Sequence, residues 1–138
     1  LKVLLPELSV TLIDASRKKV NFLKHVIRTL ELDNIKALHI RAEDLAARPS
    51  YIHRFDVIIS RALTSLDSFV RLALPLLACG GLILALKGQV GSEELANLRE
   101  NVLSKMDSAG SADLPFTVSL KKYSLPSLYS ERTIVKLR

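Results

Sequence analysis

Tryptophan is absent from this chain, and cysteine and methionine occur once each. Glycine and proline number five each, and Phe, Trp and Tyr together make up 5% of residues. A lone Cys79 cannot close an internal disulfide, which excludes a disulfide-stapled scaffold and points to a reducing, cytoplasmic setting. So little glycine and proline excludes collagen-like and low-complexity chains. No uninterrupted apolar stretch reaches the roughly 18 residues that read as a membrane span, and no basic-then-apolar leader opens the chain. No GxxxxGK[ST] run offers a P-loop and no GxSxG an esterase elbow. His25, His39 and His53 fall on separate elements without zinc spacing, so no metal is expected.

What remains is 138 residues, 49% hydrophobic and 25% charged, enough for one globular domain over residues 1–138. Net charge is +6, unevenly spread. Residues 1–54 hold 10 basic and 6 acidic side chains, residues 55–114 hold 5 and 7, and residues 115–138 hold 5 and 1. Basic ends suit a polyanion such as nucleic acid, although a solvated surface accounts for +6 taken alone.

Strand-like and helical runs alternate. Val10, Leu12 and Ile13 form a strand ending at Asp14; residues 16–31 carry Val20, Leu23, Val26, Ile27 and Leu30 at helical spacing. Strands are predicted at Ile35–Ile40, Phe55–Ser60 and Leu82–Leu86. A short helical turn is expected over Glu43–Ala47, and helices over Leu66–Leu77 and Glu93–Met106. Cys79-Gly80-Gly81 reads as a turn and Asp107–Pro115 as a polar loop. Phe116–Tyr123 and Thr133–Leu137, with no helix between them, pair as an antiparallel hairpin. The alternation argues for a doubly wound α/β domain with a mostly parallel sheet.

Ligands of open α/β sheets bind beyond the carboxyl ends of the strands, so the strand-end residues are the candidates. Asp14 there can accept ribose hydroxyls or simply cap a helix. Glu43 can pair with Arg41 or Arg61, an ordinary surface contact. Arg61 ends an apolar strand, where a long cation usually meets an anion. Lys87-Gly88 can steady a phosphate. Arg17, Lys18 and Lys19 sit in the first turn of a helix against its dipole, which suits a phosphate partner or is tolerated as an exposed cost. Ser130-Glu131-Arg132 is a polar turn that can touch substrate.

In order, these segments resemble the bacterial 16S ribosomal RNA guanine-N7 methyltransferases of the glucose-inhibited division protein B type. The resemblance rests on VTLIDASRKKVNFL (10–23), LELDNIKALHIRAEDL (30–45), FDVIISRALTSL (55–66), LPLLACGGLILALKG (74–88) and SERTIVKLR (130–138). It implies a Rossmann-like class I methyltransferase that uses S-adenosylmethionine and acts on 16S rRNA or the small ribosomal subunit, in the cytoplasm. Carried over by position, it implies cofactor-binding roles for Asp14 at the ribose, Ala42 and Glu43 by the adenine, and Arg61 lining the cofactor and substrate cleft. Arg17, Lys18, Lys19, Lys87 and Arg132 are left for RNA. It also expects a helical N-terminal region, a first strand and a Gly-rich loop ahead of Leu1, which this sequence does not contain. Without that loop, weak cofactor binding is expected of this chain alone. No catalytic residue is assigned, because guanine N7 bears a lone pair and no proton. An inactive RNA-binding remnant and a small-molecule methyltransferase are the alternatives.

Overall fold

A computed structural model describes residues 1–61, 65–88, 90–100, 117–124 and 131–138. The chain falls into two compact units, Leu1–Arg48 and Pro49–Arg138.

The first unit is a β-α-β arrangement closed by a short helix. Strand β1 (Val10–Asp14) ends where Asp14 Oδ1 accepts the Ser16 amide at 2.7 Å, a turn that an Asx side chain makes locally. Ser16 then caps α1 (Arg17–Thr29), its hydroxyl accepting the Lys19 amide at 3.5 Å. Val20 is buried, and Leu23, Val26 and Ile27 on the same side are half-buried. The helix closes as Leu32 N–H donates to Ile27 C=O at 3.0 Å, with Glu31 at φ +48°. Strand β2 (Ile35–His39) pairs in parallel with β1, Val10 opposite Ile35 and Asp14 opposite His39. Helix α2 (Ala42–Ala46) is anchored by buried Leu45. Ahead of β1, Lys2 is buried and donates to Pro6 C=O at 2.5 Å and Leu8 C=O at 2.6 Å, while Leu1, Val3 and Leu4 stay exposed.

The second unit holds a four-stranded sheet in the order β3-β4-β6-β5. Its strands are β3 (Phe55–Arg61), β4 (Leu77–Lys87), β5 (Val118–Ser124) and β6 (Glu131–Leu137). β3 and β4 are parallel; β6 runs antiparallel to both β4 and β5, as the expected hairpin requires. Helices α3 (Leu66–Ala73) and α4 (Ser92–Leu98) supply Leu66, Phe69, Val70 and Leu98 to a core shared with Ile83, Ala85, Val135 and Leu137. Each strand therefore spends one face on the core, while the β3 side chains Val57 and Ile59 remain exposed.

The elements match the reading of the sequence within a few residues, with two differences. The Cys79–Gly81 segment is not a turn ahead of a strand but an irregular part of β4. The pairing with β3 jumps from Phe55–Leu77 to Val57–Leu82, and Gly80 absorbs the extra length at φ +69°, a conformation glycine adopts without a Cβ clash. The helix expected to run to Leu77 is α-helical only to Ala73; Leu74–Leu76, containing Pro75, tightens to a 3₁₀ turn. Ala62, residues 101–116 and Ser130 lie outside the described residues, so the end of the predicted Glu93–Met106 helix and the polar loop are not placed. Among the described residues no helix is long and apolar enough to cross a membrane.

Candidate functional site

In the first unit the candidates gather at the carboxyl ends of β1 and β2. Asp14 is the last residue of β1, its side chain 30% exposed. One carboxylate oxygen is committed to the Ser16 amide; the other lies 3.5 Å from Lys19 Nζ. Opposite it, the His39 ring meets Ala15 C=O at 3.0 Å, a backbone partner rather than a ligand. Ala42 and Glu43 open α2 directly after β2, Ala42 half-buried and Glu43 exposed. The helix cap read at Asp14 falls instead to Ser16; Asp14 builds the turn ahead of it, and its second oxygen faces Lys19 at the strand end. Of the basic trio, Lys19 is paired with Asp14, while Arg17 and Lys18 are exposed and make no ion pair among the described residues. Consecutive helical residues diverge by about 100°, so the three do not form one patch.

In the second unit Arg61, Lys87 and Arg132 meet at one end of the four-stranded sheet. Arg61, exposed, ends β3 opposite Leu86; Lys87 ends β4 opposite Thr133, the neighbour of Arg132. A Cβ added to Gly88 would lie 3.7 Å from the Arg132 guanidinium, an ordinary van der Waals contact, which places that group beside the β4 end. Lys87 is not a free cation. Its ammonium is held by Glu94, with the two side chains 18% and 23% exposed. The same Glu94 oxygen accepts the Leu66 amide, the first of α3, at 3.0 Å.

An open cleft of about 370 Å³ lies against this network, lined by Ser65, Asp67, Lys87, Glu93, Glu94 and Asn97. The Ser65 hydroxyl holds the Asp67 carboxyl below its ordinary range; burial opposes this, and the Ser68 and Asp67 amides and the Arg71 charge support it. Three carboxylates against one committed lysine make the cleft acidic, so it favours hydrogen-bond donors over phosphates. Glu94 and Asp67 are the residues missed by reading the sequence. An acid in the first turn of a helix is ordinary, and nothing local to Ser92-Glu93-Glu94 signals a partner at Leu66.

The family described as GidB, rRNA small subunit methyltransferase G, matches residues 1–116. The chain is 37% identical over 134 residues to the ribosomal RNA small subunit methyltransferase G of Geobacter sp. (strain M21), covering 97% of this chain and 57% of that one. With the protein of the same name from Desulfitobacterium hafniense (strain Y51) the identity is 44% over 95 residues, 69% of this chain and 40% of that one. The chain therefore spans about half the length of the curated relatives it matches. Among solved structures, an rRNA methylase from Streptococcus thermophilus aligns over 94% of this chain and 72% of its own with a TM-score of 0.60 at 15% identity. A putative methyltransferase from Streptococcus mutans, solved in complex with SAH, aligns over 99% and 80% with a TM-score of 0.58 at 15% identity. These likenesses place the fold among Rossmann-like methyltransferases. With a family match across most of its length and relatives above 30% identity, the chain belongs to the rRNA small subunit methyltransferase G family.

Proposed function

We propose that this chain is the portion of an S-adenosylmethionine-dependent methyltransferase that acts on guanine N7 of 16S rRNA in the cytoplasm, its two units being parts of one domain. The observation that carries the reading is the family match across residues 1–116, spanning both units, with Asp14 at a β-strand carboxyl end where that activity needs a hydroxyl acceptor.

The residues fit the cofactor. Asp14 has one oxygen engaged in the turn and a second whose nearest cation, Lys19, stands at 3.5 Å on a flexible, exposed stem. That leaves an acceptor for a ribose diol, which would draw the lysine aside. Ala42 and Glu43 open α2 directly after β2, and in this reading the adenine lies beside them. Bound there, the cofactor supplies an electrophilic methyl group. Guanine N7 presents a lone pair and no proton, so the chain needs no general base. Its work is to hold N7 in line with the methyl and to exclude water, which can supply most of the acceleration. In this reading Arg61 lines the cofactor and substrate cleft, Arg132 faces the RNA, and Glu94 fixes Lys87 and the start of α3 within the second unit.

Calorimetry with S-adenosylmethionine tests the reading, on this chain and on a version lengthened at its N-terminus. Saturable binding by the longer version, with methyl transfer to small-subunit rRNA, supports it. Binding of RNA with no cofactor binding by either version would favour the inactive RNA-binding remnant. Cofactor binding with transfer only to small molecules would favour the other alternative.

A further inference from the structure

Helix α1, RKKVNFLKHVIRT, contains five Lys and Arg and no Asp or Glu. At about 100° per residue, Arg17, Asn21, Lys24 and Arg28 fall within a band of roughly 60° on its surface. All four are exposed, and the three cations make no ion pair among the described residues. Lys19, the one α1 cation with an acidic partner among the described residues, lies on another side of the helix.

A solvated helix face usually alternates charge sign, because opposite charges three or four residues apart support the helix. This face does the reverse. Lys24 and Arg28 are like charges four apart, and Arg17 sits in the first turn against the dipole. The apolar side of α1 does not compensate, since Val20, Leu23, Val26 and Ile27 serve packing inside the first unit. Local costs of this kind mark a surface selected for something other than helix stability.

We infer that the Arg17–Asn21–Lys24–Arg28 stripe is a docking ridge for the phosphate backbone of RNA, a contact separate from the strand ends. It deepens the proposed function and rests on that reading for the identity of the polyanion. Eleven helical rises of about 1.5 Å from Arg17 to Arg28 give a ridge of ~16 Å, carrying three cations and one amide donor with no acceptor carboxylate to repel a phosphate. An anionic membrane is the poorer partner. A membrane-bound helix needs an apolar face free beside its cations, and the exposed Phe22 lies well round the helix from this stripe.

The test compares the chain with its Arg17→Gln/Lys24→Gln/Arg28→Gln variant. Binding is measured to small-subunit rRNA, to a scrambled RNA of equal length, and to phosphatidylserine vesicles, across 50–200 mM salt. Glutamine is a good helix former and the positions are exposed, so the circular dichroism spectrum should be kept. The log–log salt slope should flatten by roughly 2–2.7 for three lost contacts, so that the unmodified chain loses roughly 20–40-fold more affinity over that salt range than the variant. Both RNAs should be affected alike, and Arg17→Lys/Arg28→Lys should keep the slope. If the triple variant fails to fold, Lys24→Gln alone should flatten the slope by roughly 0.7–0.9. RNA binding with an unchanged slope in the variants overturns the ridge and leaves the proposed function standing. Failure of the unmodified chain to bind either RNA overturns the ridge, while methyl transfer by the N-terminally lengthened version decides the proposed function separately; binding to vesicles in place of RNA overturns the choice of partner.

Discussion

Glu94 in α4 accepts the backbone amide of Leu66, the first residue of α3, at 3.0 Å across 28 residues of chain. The amide is one of the unsatisfied donors at a helix start, and the carboxylate also holds Lys87 at the end of β4. One side chain thus ties two helices and a strand together at the mouth of the cleft. Glu94→Ala should cost about 1.5–3 kcal/mol, the range for losing charged hydrogen bonds at a partly buried site. Glu94→Gln keeps an acceptor for Leu66 and loses the charge facing Lys87, so it should cost less than half as much. Urea midpoints at unchanged m-value measure both; equal, negligible losses would show the clamp to be idle.

Asp67 gives this region a pH dependence. Its folded-state pKa is lowered, chiefly by the Ser65 hydroxyl. A carboxyl with a depressed folded pKa stabilises the fold above its unfolded value, near 3.9, and that stability is lost as pH falls through the folded value. Melting temperature should therefore drop below about pH 4 in part through Asp67. Both Asp67→Asn and Ser65→Ala should flatten that part of the profile, while leaving the slope above pH 6 unchanged.

The strand ends are legible because a polar residue closing an apolar run has a local signature: Asp14 after Leu12-Ile13, Arg61 after Ile58-Ile59, Lys87 after Leu84–Leu86. The structure puts each of the three at the last position of its strand. Helix α1 is legible from its apolar spacing, although its cap is Ser16 and not the Asp14 that the strand end suggested. Glu94 is not legible, because its role depends on the docking of α4 beside α3, a contact that no periodicity within Ser92–Leu98 encodes. The state of Lys87 follows from Glu94 and is hidden with it. The irregular start of β4 is half legible: Gly80-Gly81 announces a backbone break, but whether it makes a turn or a bulge is decided by pairing with β3.

That break makes the two glycines unequal. A Cβ on Gly81 would lie 2.8 Å from Ala78 C=O and 2.8 Å from the Leu77 side chain, whereas one on Gly80 meets nothing within 4 Å. Gly80→Ala should cost about 1–2 kcal/mol, the penalty of a left-handed φ alone. Gly81→Ala should cost more, because the obstructing carbonyl belongs to the backbone of the same bulge and the position is buried. Thermal melts of the two variants rank them, and the reverse order would refute the bulge geometry.

Among the described residues β3 pairs with β4 and with no other strand, and it exposes Val57 and Ile59. An unpaired edge carrying β-branched apolar residues invites pairing with other chains. The 138-residue chain alone should therefore scatter light increasingly with concentration. Ile59→Lys should suppress that association without lowering the melting temperature by more than a few degrees, since Ile59 is 42% exposed. Concentration-independent scattering by the unmodified chain would show this edge to be covered.

Asp14 separates a structural role from a functional one through a single substitution. Its Oδ1 builds the turn by accepting the Ser16 amide, and Oδ2 carries the remaining acceptor capacity beside Lys19. Asp14→Asn retains a carbonyl oxygen for the Ser16 amide but replaces Oδ2 by an amide donor without charge. The turn and the start of α1 should survive, with a melting temperature close to that of the parent. S-adenosylmethionine affinity, measured by calorimetry in the N-terminally lengthened version, should fall by about 1–3 kcal/mol, the cost of leaving a hydroxyl partner unsatisfied. Asp14→Ala should lose both stability and affinity. If the asparagine variant binds the cofactor as tightly as the parent while the alanine variant melts early, Asp14 serves only as the turn into α1, and the ribose acceptor must be sought elsewhere in the protein.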